Sequence, residues 1–298
     1  MPIPIFYHPC YSALNLPENH RFPIQKYALI YDYIITQLTE KFHFITPSKA
    51  TFEQITSVHD ANYVSQFVNG TLDKKAIRKI GFPWSPTLVD RTLYSIGASI
   101  QGAETALATK LACQISGGYH HSHPSFGSGF CIFNDLVIAA RHLIDTSQCE
   151  KVVILDLDVH QGDGSAVCAE NFDDIVTISM HCQQNFPAKK QHSDYDFALE
   201  KHTVTPDYLN ALQQCFLTIL IEQPDIVFYN AGADIFTNDE LGYFDICLAG
   251  VKQRDSAVIS FCQHHDFPLF TVSGGGYQRD IIDLVTVHKQ LYLSMTNG

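Results

Sequence analysis

The stretch Val152-Val153-Ile154-Leu155-Asp156-Leu157-Asp158-Val159-His160-Gln161-Gly162-Asp163-Gly164 sets the reading of the whole chain. An apolar, β-branched run passes directly into alternating acids and a histidine, as a buried strand does when it ends at a polar site. In an extended backbone, residues i, i+2 and i+4 point to one side. Asp156, Asp158 and His160 therefore share a face, with Leu155, Leu157 and Val159 on the other. Two carboxylates so close at the end of a buried strand repel each other, and burying them unpaired is costly. A cation is their natural partner. Carboxylate oxygen with imidazole nitrogen suits Zn²⁺, with a third ligand from elsewhere leaving a fourth position open. Two ligands alone fit a capping carboxylate and a solvated histidine equally well.

Working outward, short apolar runs recur at 4–8, 111–116, 151–158, 175–180, 225–231 and 268–273. Their continuous hydrophobicity fits strands covered on both faces. Between them, 24–40, 88–110, 135–144, 206–223 and 250–264 carry apolar residues at helical spacing, and in the first of these the Lys and Asp residues fall on the opposite face. Alternating β and α segments predict an α/β fold with a central, mostly parallel sheet flanked by helices. No repeat, low-complexity tract or linker divides the chain, so 1–298 is expected to form one domain.

Polar clusters follow four of the strand-like runs: Gly117-Gly118-Tyr119-His120-His121, Asp158-Val159-His160, Gly232-Ala233-Asp234 and Gly274-Gly275-Gly276-Tyr277. Open α/β sheets bind ligands beyond the carboxyl ends of their strands. Asp234, alone an ordinary cap or turn residue, supplies a third ligand, a second carboxylate, for the Asp158/His160 pair. Adjacent histidines titrating near neutrality suit acid–base work. Tyr277 can offer its phenol to a developing oxyanion; the glycines before it lack the Lys and Ser/Thr of a phosphate loop. His264-His265 has no accompanying motif, and His123 reads as a loop residue.

The bulk properties narrow the class. A net charge of −12 argues against a non-specific binder of nucleic acid or anionic membrane. Lys74, Lys75, Arg78 and Lys79 form only a short basic run, read as a solvated face. The nine cysteines are scattered without a C-x-x-C pair, which disfavours a disulfide framework and fits a reducing compartment. No signal-peptide pattern opens the chain, and no apolar run approaches the roughly 18 residues a membrane helix needs. A cytoplasmic location is expected.

Taken together, these motifs resemble the histone deacetylase superfamily of arginase-like α/β metallohydrolases. The resemblance runs through Val58-His59 to Val64, Gly117 to His121, Gly129-Phe130-Cys131 to Asn134-Asp135, Asp156 to Gly164, Ala231 to Asp234 with Asp239 to Gly242, and Ser273 to Tyr277. It implies Asp158, His160 and Asp234 as zinc ligands. It implies His121 as general acid–base and His120 as electrostatic helper, with Asp156 and Asp163 as their acidic partners, and Tyr277 as the residue polarising the scissile carbonyl. Gly129 and Phe130 resemble one wall of an acyl-lysine tunnel, and Phe186 the opposite wall. A potassium ion near the zinc is implied too, at Asp156, Asp158, His160, Ser179 and Met180, partly through backbone oxygens.

The chain also departs from the common pattern. Gln161 replaces the second His of D-H-H-G-D-G, and Tyr119 replaces Leu in G-G-L-H-H. Gln161, Asn19 to Pro23 and Gly81 to Pro86 look most like the class IV branch and its bacterial relatives, which raises long-chain acyl substrates as an option. No rim aspartate for gripping a peptide backbone is evident. The expected activity is zinc-dependent removal of acyl groups from Nε-acyl-lysine in a protein or peptide. A deacylase of acetylpolyamines or other small amides is the alternative, and an inactive acyl-lysine-binding module a third.

Overall fold

A computed structural model describes residues 2–296. Eight strands form one sheet: β1 (Ile3–Phe6), β2 (Phe42–Ile45), β3 (Leu111–Gln114), β4 (Val152–Asp156), β5 (Ile175–Cys182), β6 (Tyr195–Leu199), β7 (Ile226–Asn230) and β8 (Leu269–Val272). Every pairing is parallel, in the order β2-β1-β3-β8-β7-β4-β5-β6. The ten α-helices are α1 (Lys26–Gln37), α2 (Phe52–Thr56), α3 (Ala61–Val68), α4 (Lys74–Ile80), α5 (Pro86–Thr109), α6 (Asp135–Asp145), α7 (Asp163–Ala169), α8 (Thr205–Glu222), α9 (Leu248–His264) and α10 (Ile281–Met295). Helices α5 and α6 pack together, while α8, α9, α10 and α1 are successive neighbours.

The six expected strands and five expected helices are present, with ends shifted by a few residues. Central strands β4, β5, β7 and β8 are buried along their whole length, which is why they read as continuous apolar runs. The two strands not anticipated, β2 and β6, lie at the edges. In β6, Tyr-Asp-Phe-Ala-Leu alternates between half-buried and exposed positions, the mark of an edge rather than a core strand. The Gly81 to Pro86 stretch leads into α5, where the Ser85 hydroxyl accepts from Leu88 N at 3.1 Å and Pro86 takes the first helical position.

The shared-face argument from strand alternation needs correction. β4 stops at Asp156, and 158–160 form a bend. The side chains of Asp158 and His160 converge through that bend rather than through the pleat.

Candidate active site

The four polar clusters follow β3, β4, β7 and β8. In the sheet these strands are contiguous as β3-β8-β7-β4. Parallel pairing aligns their carboxyl ends, so segments far apart in sequence meet at one edge of the sheet centre.

Asp158, His160 and Asp234 are buried and present ligand atoms all within 4.8 Å of one another. His160 Nδ1 lies 2.9 Å from Asp158 Oδ1 and 3.3 Å from Asp234 Oδ2. Asp234 Oδ1 accepts from Val159 N at 3.0 Å, while its buried Oδ2 has no hydrogen-bond partner of acceptable geometry. Burial raises the Asp234 carboxyl, and the charge of Asp158 raises it further. Burial opposes a charge on His160, yet the two carboxylates hold its imidazole well above the ordinary range. Such a site calls for a positive charge. Gly275, at φ +55°, leaves the space free: a Cβ there would sit 2.6 Å from Asp158 Oδ2 and closer still to Asp234 Oδ2. Two carboxylates, one imidazole and one orphaned buried oxygen fit a divalent metal with nitrogen and oxygen ligands.

The paired histidines lie beside this group with ring centroids 4.1 Å apart. A carboxylate can only accept, so each Nδ1 donates: His120 to Asp156 Oδ2 and His121 to Asp163 Oδ1, both at 2.6 Å. Asn230 Nδ2 holds Asp156 Oδ1 at 2.9 Å. Burial disfavours the charged form of both rings, but their surroundings separate them. Asp156 and Asp158 outweigh burial at His120 and raise it to about 9. His121 is lowered to about 4 by burial and by its charged neighbour, against the pull of Asp163. A dication beside Asp158 pushes both downward. His123 is not merely a loop residue: its Nε2 donates to Asp163 Oδ2 at 3.0 Å, so Asp163 serves two imidazoles.

The Tyr277 ring lies 6.2 Å from that of His160, and its backbone N–H donates to Asp239 Oδ2 at 2.7 Å. Burial and then the charges of Asp158 and Asp234 keep the phenol well above its ordinary range, so it is a donor. Phe130 lies 5.9 Å from Tyr277, within a cluster containing Phe22 and Phe82. Gly129, at φ +53°, lets the backbone come close to His121, whose Cδ2 would stand 2.7 Å from a Cβ. The half-exposed Phe186 ring meets His121 edge-on at 4.8 Å. The structure thus brings together Gly129, Phe130, Phe186 and the eight polar residues singled out from sequence. Ser179 pairs in register with Asp156. Met180 turns its sulfur toward Cys215 on α8, at 3.9 Å.

Helical spacing alone places Lys26 on the polar face of its helix. It is instead buried, with Nζ donating to the carbonyl of Gly275 and, at 3.4 Å, to that of Gly276, directly before Tyr277. Burial lowers it to about 8, against the pull of Asp234 and Asp239. Helical periodicity could not reveal this, because an amphipathic pattern does not show which polar residue meets a partner across the molecule. Asp239, which also accepts from Leu241 N and Gly242 N, was visible only as part of a motif.

A cavity of about 20 Å³, room for one water, lies among Phe22, Lys26, Tyr27, Tyr119, His121 and Tyr277. No helix among the described residues is long and apolar enough to cross a membrane.

Comparison with known proteins agrees with this architecture. An uncharacterised protein of Picosynechococcus is 40% identical over 98% of both chains. Histone deacetylase 2 of Arabidopsis thaliana is 25% identical, covering 90% of this chain and 72% of its own. The acetoin utilization protein AcuC of Staphylococcus xylosus is 25% identical over 80% of this chain and 68% of its own. The crystal structure of the HDA15 HD domain superposes with a TM-score of 0.83 over all of this chain and 89% of that one; at 17% identity it speaks to the fold. The histone deacetylase domain model matches residues 20–290, and the chain belongs to the histone deacetylase family.

Proposed function

We propose that this chain, acting as one catalytic domain over 1–298, hydrolyses the amide of Nε-acyl-lysine in a protein or peptide with zinc held by Asp158, His160 and Asp234. The observation that carries the reading is the convergence of that buried ligand set with two carboxylate-oriented histidines of opposite character and a protonated phenol. When bound, zinc supplies Lewis acidity toward the carbonyl and a supply of nucleophilic water near neutral pH.

The remaining work falls to this chain's side chains. His121, kept neutral by burial and by His120, accepts a proton at Nε2 from the attacking water while Asp163 steadies its Nδ1–H. It returns that proton to the departing lysine amine. His120, tied to Asp156 through Nδ1, is the electrostatic helper for the developing oxyanion. Tyr277 donates its hydroxyl to the same oxygen. Phe130 and Phe186 flank the aliphatic lysine stem. The potassium ion is assigned to the Asp156–His160 turn with backbone oxygen from 179 and 180.

The acyl group is placed in the adjoining cavity, whose lining includes Phe22, Phe130, Tyr277 and the buried cation of Lys26. Hydrolysis of lysine peptides bearing acyl chains of increasing length, set beside acetylspermidine, tests this. Tyr277→Phe should lower kcat by about 10²–10³-fold with zinc content unchanged, and Asp158→Ala should abolish both turnover and zinc binding. Wild-type rates in both variants would remove the mechanism; preference for acetylspermidine would move the substrate to small amides.

A further inference from the structure

The departure at Gln161 has a defined structural job. Its side chain is buried directly after His160. Oε1 accepts from Gln191 N at 2.8 Å, and Nε2 donates to Gln191 O and to Asp196 Oδ1, each at 2.9 Å. A carboxamide presents an acceptor and a donor side by side, matching the backbone N–H and C=O of a single residue. Asp196, on β6, fixes which way the amide faces and through Oδ2 also accepts from Ser193 N at 3.0 Å.

What Gln161 grips is the 183–194 connection between β5 and β6, the segment that carries Phe186. That connection is also held by Lys190 Nζ, which donates to Asn185 O at 2.6 Å and Pro187 O at 2.8 Å, by Asn185 Nδ2, which donates to Leu241 O at 2.7 Å, and by Asp194 Oδ2, which accepts from Thr177 N and Oγ1 at 2.7 Å each. The Phe186 ring, 42% exposed, is held against His121 and lies 6.4 Å from the His160 ring.

We infer that Gln161 is a specificity-determining positioning residue, which fixes the 183–194 segment so that Phe186 forms a rigid wall beside His121 and His160 for the aliphatic stem of the substrate. The inference rests on the acyl-lysine reading above. Gln161 acts through Phe186 and takes no part in bond making. Because a wall contacts substrate and transition state alike, its loss shows in KM rather than kcat.

The test is a double-mutant cycle on an acetyl-lysine peptide, with zinc content measured for each protein. Gln161→Ala and Phe186→Ala should each raise KM by about tenfold, the value of one aromatic contact, with kcat within about twofold. Adding Gln161→Ala to Phe186→Ala should change nothing further. The amide of Gln191 should exchange faster with solvent in Gln161→Ala. Additive KM effects, an unchanged KM, or a fall in kcat together with zinc loss would overturn the inference. If Gln161→Ala does not fold, Asp196→Ala reaches the same grip from β6, away from the metal ligands, and must reproduce the KM effect. If wild-type protein hydrolyses no acyl-lysine peptide, the functional reading fails by itself. The affinity of zinc-loaded protein for hexyl hydroxamate then replaces KM and must weaken in the same non-additive way.

Discussion

Replacing Arg254 by Met should loosen the molecule directly behind the metal ligands. Arg254, on α9 and fully buried, contacts both ligand-bearing segments: Nη1 donates to Gly232 O at 2.6 Å and to Leu157 O at 3.3 Å. Its Nε and Nη2 each lie 2.9 Å from Asp255 Oδ1, which also accepts from Tyr229 OH at 2.6 Å. Met fills much of the volume but leaves two buried carbonyls unpaired and a buried carboxylate without its cation. Breaking one side of such a pair costs about 3–5 kcal/mol. With a urea m-value of about 3 kcal/mol/M for a chain this long, the midpoint should fall by about 1–1.7 M. Protonation limits the loss, since burial raises the Asp255 carboxyl even with Arg254 beside it. A carboxyl raised in the folded state contributes stability at low pH and loses it as pH rises through the folded value. The deficit of Arg254→Met should therefore widen with rising pH. Zinc affinity should fall about tenfold or more, because Leu157 and Gly232 adjoin ligands. Urea unfolding followed by circular dichroism, repeated across pH and with Asp255→Leu added, is the assay. The double variant should recover part of the loss, because it removes the stranded charge. A single-variant loss under about 1 kcal/mol, or simple additivity, would refute the reasoning.

Gly275→Ala should abolish metal binding while the protein stays folded, since its Cβ would enter the space between Asp158 and Asp234; isothermal titration with zinc checks it. The acid limb of kcat/KM should fall well below the ordinary imidazole value of about 6.5, because His121 is lowered to about 4 and remains neutral above that. The sign for stability is the same: the unfolded chain takes up this proton first, so His121 makes stability rise with pH between those two values. Asp163→Asn should lower kcat by about 10-fold or more, read from the pH–rate profile. Removing metal with a chelator should lower the melting temperature, and zinc at about 100 times its Kd should restore about 2.7 kcal/mol.

Much of this protein is legible along the chain because its signals are local. The continuous apolar runs of β4, β5, β7 and β8, and the helical spacing of α5, α6, α8 and α9, follow from burial of one face or both, which period alone records. The chemistry is local too: Asp156, Asp158, His160, Asp234, His120, His121 and Tyr277 stand at the ends of those runs, and their residue types already point to a cation and to acid–base work. Strand order is different. Placing β8 and β7 between β3 and β4 is a choice among long-range pairings, and it alone brings the four clusters to one place. The inward turn of Lys26, the second imidazole on Asp163 and the grip of Gln161 on Gln191 depend on partners 30 to 250 positions away. So does the opposite drift of two adjacent histidines, identical in sequence, whose character is set by the carboxylates folding brings to each. Sequence determined which groups and which elements exist; the tertiary structure decided their neighbours, because charge, burial and hydrogen bonding act across space rather than along the chain.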